Sequence, residues 1–90
     1  MSERLFDVSE LEPPEPLVQT LAAAEALPQG DYLLMLHRRD PCLLPANLRE
    51  RGFSFVQRPG RHTAVEVFIW REGDAIAEAA VRAALAADVQ

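Results

Sequence analysis

Apolar and polar positions alternate along this chain in stretches whose periods predict four strands and three helices. The segment Asp31 to His37 is apolar almost throughout, the pattern of a central strand covered on both faces. Between Thr63 and Trp70, Val65, Val67 and Ile69 alternate with Glu66, Phe68 and Trp70, which predicts another strand. Leu5 to Val8 and Phe53 to Arg58 read as two more, and Pro59-Gly60-Arg61-His62 as the turn between the last two strands.

Helical spacing fills the gaps. Pro13-Pro14-Glu15-Pro16 opens a helix running to about Leu27, because proline is tolerated in a first turn whose N–H groups lack intrahelical partners. Leu17, Leu21, Ala24 and Leu27 share its inner face with Val18 beside them, and Pro28-Gln29-Gly30 ends it. Asp40-Pro41 has the form of an N-cap and first residue. Pro45 cannot lie in a helix interior, so a short turn from Pro41 to Leu44 is expected before a helix to Arg51, with Gly52 after it. Gly73-Asp74 caps an alanine-rich helix to about Asp88, with Ile76, Ala80, Ala83, Ala84 and Ala87 as a thin apolar stripe. The order β-α-β-α-β-β-α implies an α+β domain, a two-layer sandwich of helices on a mixed four-stranded sheet with an additional C-terminal helix.

Composition adds bounds. Ninety residues, nearly half of them apolar, suit one small globular domain. No apolar run is long enough to cross a bilayer, and the start of the chain lacks a signal-peptide pattern. Cys42 is the only cysteine, so an internal disulfide is excluded and a cytoplasmic location is the expectation. The net charge of −5 is uneven: residues 1–31 hold seven acids against Arg4, whereas residues 32–71 hold seven arginines against three acids. A net acidic domain is a poor non-specific nucleic-acid binder.

The segment Leu11-Glu12-Pro13-Pro14-Glu15-Pro16-Leu17 resembles the signature of the TusA-like (SirA-like) superfamily, in which a Cys-Pro-x-Pro segment starts the first helix. The likeness extends over about residues 4–71, through Leu27-Pro28-Gln29-Gly30-Asp31 and the strand order. In those sulfur carriers the cysteine holds a persulfide; here the matching position is Pro13. Asp7, Asp40-Pro41 and Arg49-Glu50-Arg51-Gly52-Phe53 are similar to an uncharacterised branch of the superfamily that lacks the carrier cysteine. The resemblance implies a bacterial protein with a protein partner in redox or nitrogen/sulfur metabolism.

Chemistry narrows the options further. Pro13 supplies no sulfur, and Pro13, Pro14 and Pro16 remove three N–H groups that an anion at the helix start would use. Three candidate chemistries remain. Cys42, near the start of the second helix and close to Arg38 and Arg39, is a candidate redox or sulfur-carrying thiol or, more simply, a packed apolar residue. His37, with Cys42, Asp7 or Asp40 and with His62 in the hairpin, is a candidate for a metal. Arg38, Arg39, Arg58 and Arg61 are a candidate patch for an anion or an acidic partner, set against ordinary solvated arginines. No catalytic constellation is present. The sequence thus favours a non-catalytic binding module, monomeric or dimeric through the C-terminal helix or open sheet face.

Overall fold

The computed structural model describes residues 3–61 and 63–87; His62, a candidate ligand above, lies outside the described residues. Strand β1 (Glu3–Asp7), helix α1 (Glu15–Glu25), strand β2 (Tyr32–His37), helix α2 (Leu44–Glu50), strands β3 (Phe53–Pro59) and β4 (Val65–Arg71), and helix α3 (Ala75–Ala87) follow in that order. The sheet order is β1-β2-β4-β3. β1 runs parallel to β2, and the other two pairings are antiparallel. This is the α+β architecture, mixed sheet and C-terminal helix that the periodicities predict.

β2 is buried at all six positions because the sheet is covered on both faces. Leu33 and Met35 point with Val67, Ile69 and Phe53 toward α1 and α2, meeting Leu21, Ala24, Leu44 and Leu48. Tyr32, Leu34 and Leu36 point the other way with Phe68 and Trp70, toward α3. The side-chain period of two in β2 and β4 therefore feeds two separate cores. Helix α3 adds cover to the face that the α1/α2 layer leaves open, and it does so within the same chain.

Three local expectations need correction. Val18 is exposed, because its direction on α1 lies outside the arc that Leu21 and Ala24 bury. The inner face of α3 is Ala77 and Val81, with Ala80, Ala84 and Leu85 packed alongside. Ile76 is 54% exposed, and Ala83 and Ala87 also face out. Alanine on every side of a helix gives little contrast to set its phase, so Val81 and Leu85, the larger side chains, decide it.

The third correction concerns Asp40, which does not cap α2. Helix α2 starts at Leu44 with no side-chain cap, and Pro45 lies in its first turn. A turn closed by Cys42 N–H to Asp40 O (2.9 Å) and Leu44 N–H to Pro41 O (2.9 Å) separates Asp40 from the helix. Asp40 Oδ1 instead accepts from Gln57 Nε2 at 3.2 Å. The cap expected at Asp74 is present: Oδ1 accepts the Ala77 N–H at 3.0 Å.

Candidate functional site

At the C-terminal end of β2 the chain must leave the sheet between the starts of α1 and α2, and a groove of about 290 Å³ opens there. Pro13, Pro14, Pro16 and Leu17 form one wall, Met35 and His37 the floor, and residues 39–44 the other wall. The Pro-Pro-Glu-Pro segment thus serves as an apolar wall. Its backbone offers little to an anion: Pro14 and Pro16 carry no N–H, and the Glu15 N–H is bonded to Glu12 O at 2.9 Å. The Pro13–Pro14 peptide is cis.

His37 is the buried polar group of the floor, only 6% exposed. Because side chains alternate along β2, it faces the groove with Met35 while Leu36 faces α3. Its Nδ1 accepts the Arg38 N–H at 2.9 Å. That bond assigns the proton of the neutral ring to Nε2, which has no hydrogen-bond partner among the described residues. Burial holds the imidazole below its ordinary pKa, and Arg38 and Arg39 push it in the same direction. The ring is therefore neutral at pH 7, with one N–H free to donate.

The other predicted residues divide into two places. Asp40 and Cys42 line the groove with His37, and Cys42 is exposed. Arg38 stands at the same end but is committed: its Nη2 lies 2.6 Å from Glu12 Oε2. That hydrogen bond, ahead of the charge itself, holds the Glu12 carboxyl below the usual range. Arg39 lines the groove and makes no ion pair among the described residues.

Asp7, Arg58 and Arg61 lie elsewhere. Asp7 pairs in register with Leu36 and so belongs to the α3 face, away from His37. Its carboxylate accepts from Ser9 Oγ (2.6 Å) and Ser9 N–H (2.9 Å), which lower its pKa in that order. Arg58 and Arg61 surround Glu66 on that same face, Arg58 Nη2 at 3.0 Å from Oε1 and the Arg61 N–H at 3.3 Å from Oε2. Of the four arginines, Arg38 is thus paired with Glu12 and Arg58 with Glu66. Among the described residues no group of three His, Cys, Asp or Glu side chains is placed to hold a metal ion.

Sequence reasoning missed the apolar lining of the groove by Leu17, Met35, Leu43 and Leu44. The one available signal was Leu43, an apolar residue left 65% exposed beside a proline turn. It also missed buried Glu66, although the alternation of β4 puts Glu66 on the same side as Phe68 and Trp70.

A mixed four-stranded α+β domain with an apolar groove at its strand end, and no catalytic constellation among the described residues, defines a domain class by shape rather than by chemistry. The family model described as "Uncharacterized conserved protein (DUF2249)" matches residues 5–71, and the chain belongs to that family. The match ends where β4 ends, so α3 lies beyond it. No curated protein and no solved structure matches the chain.

Proposed function

We propose that this domain is a non-catalytic binding module that engages its ligand or protein partner through the groove at the end of β2. The observation that supports this most strongly is the character of the groove. It combines proline and leucine walls with one buried side-chain donor, His37, and among the described residues no hydrogen bond joins Cys42 to that ring. The TusA-like resemblance fits the same reading: the helix-start position used by sulfur carriers is Pro13, and the walls it helps to form suit binding rather than transfer. A cytoplasmic protein serving redox or nitrogen/sulfur metabolism is the setting this resemblance implies. No helix among the described residues is long and apolar enough to cross a membrane.

A sulfur-carrying or redox role for Cys42 is the second reading, supported by its exposure at the groove rim. Complementation of a deletion strain separates the two. The binding reading expects Cys42→Ser to restore function and Leu43→Arg, a charge on an exposed rim position, to fail. Loss with Cys42→Ser and retention with Leu43→Arg would overturn it in favour of the thiol.

A further inference from the structure

The groove is mostly apolar, and the few side-chain donors in it bear on what fits. The backbone N–H groups of Glu15, Cys42 and Leu44 are all bonded within the protein. Two side-chain donors remain to receive a ligand, His37 Nε2–H on the floor and the Arg39 guanidinium at the rim, beside the backbone N–H groups of Leu17, Asp40 and Leu43. Of the acids nearby, Glu12 is paired with Arg38, whereas Asp40 at the rim accepts from the neutral Gln57 amide through Oδ1. Arg38 and Arg39 both stand close enough to act on the His37 ring, Arg38 being already paired with Glu12. The rest of the surface is proline, leucine and methionine. About 290 Å³ lies at the small end of ligand sites, room for a compact molecule only.

Resting on the binding-module reading, we infer that the groove takes a small monocarboxylic acid with an apolar body. Its carboxylate accepts from His37 Nε2–H and pairs with Arg39, and its hydrocarbon part lies between Pro13, Leu17 and Leu44. The neutral imidazole is suited to this, since it donates without needing to be charged. Arg39 supplies the charge in a position where solvent still reaches it. An amine would place its charge beside Arg39, and an alcohol would leave that guanidinium without a partner.

The test is titration calorimetry of the full chain with hexanoate, 1-hexanol and hexylamine. Hexanoate is expected to bind one-to-one and roughly ten-fold or more tighter than either analogue, the range set by a charge-assisted hydrogen bond. Arg39→Gln, an exposed substitution that leaves the fold intact, should bring hexanoate down to the level of hexanol and leave hexanol unchanged. His37 ring nitrogen shifts should move with hexanoate and not with hexanol, a readout that needs no substitution of the buried residue. Equal affinity for hexanoate and hexanol, or indifference to Arg39→Gln, overturns the inference while leaving the groove as a binding surface. Tighter binding of a tripeptide ending in leucine carboxylate than of hexanoate overturns the small-molecule source and assigns the same chemistry to a protein C-terminus. Failure of the binding-module reading itself appears separately, as dependence on Cys42.

Discussion

Asp74 and Gly30 join two turns that lie 44 residues apart: Asp74 Oδ2 accepts the Gly30 N–H at 2.7 Å. Gly30 adopts φ +88°, a left-handed conformation that glycine enters without a Cβ clash, and this aims its N–H at the carboxylate. The second oxygen of Asp74 caps α3 through the Ala77 N–H. One side chain therefore ends the α1–β2 turn and starts the helix that covers the far face of the sheet.

The first prediction follows from that double role. Asp74→Ala should lower the melting temperature by several degrees, with amide exchange speeding up first in α3 and in the Gly30 turn. The Gly30 N–H, and after it the Ala77 N–H, hold the Asp74 carboxyl below its ordinary pKa of 3.8. A depressed folded-state pKa means that the contribution is fully present above about 3.8 and disappears as pH falls through the folded value. The gap between wild type and Asp74→Ala should thus be constant from pH 7 to 5 and close only in strong acid. Denaturation followed by circular dichroism at several pH values measures it; a gap that closes near neutrality would contradict the assignment.

The register of α3 gives the second. Val81 is buried against Phe68 and Trp70, whereas Ile76 is largely exposed. Val81→Ala should cost roughly 2 kcal/mol, as expected for a core truncation. Ile76→Ala should stay within about 0.5 kcal/mol. The reverse ranking in urea denaturation would show that α3 packs with the alanine stripe expected from spacing alone. Removal of residues after Arg71 should expose Tyr32, Leu34, Phe68 and Trp70 together, producing aggregation.

These two regions also show what could be read in advance. β2 was legible because five apolar residues in a row leave no polar face to assign, and Pro28-Gln29-Gly30 marks a stop that no helix passes. The phase of α3 was not legible, since its alanines carry too little contrast to choose a side. Asp40-Pro41 carries the local signature of a cap, yet tertiary contact with Gln57 holds the side chain elsewhere. Of the site, His37, Asp40, Cys42 and Arg39 were named from sequence and do meet at one groove. Asp7 and Arg58 were named with them and lie on the other face, because the register of β1 and β3 is a long-range property.

Cys42 yields the third prediction. The thiol is exposed on the turn before α2 and makes no contact that holds the core together. Iodoacetamide should modify it stoichiometrically in the native protein without denaturant. Cys42→Ser should change stability by less than about 0.5 kcal/mol. Labelling that requires unfolding would mean that the turn packs differently from the arrangement described above.

The last prediction concerns the buried acid of β4. Glu66 is 5% exposed, and Arg58 meets it through Nε and Nη2 while lying over the Phe68 ring at 4.8 Å. Removing the cation takes the Nε and Nη2 donors from a desolvated carboxylate that also accepts the Arg61 N–H. Arg58→Met retains much of the aliphatic contact with Phe68 and deletes the charge, so its cost isolates the ion pair. It should destabilise by about 3 kcal/mol, the scale for breaking a buried pair from one side. Adding Glu66→Leu to that variant should recover much of the loss, because an apolar pair between Leu36 and Phe68 needs no hydrogen-bond partner. A double-mutant cycle in urea measures both numbers. If the double variant were less stable than the sum of the single changes, Glu66 would be holding the β3–β4 hairpin through the Arg61 N–H rather than through Arg58, and the pair would be secondary.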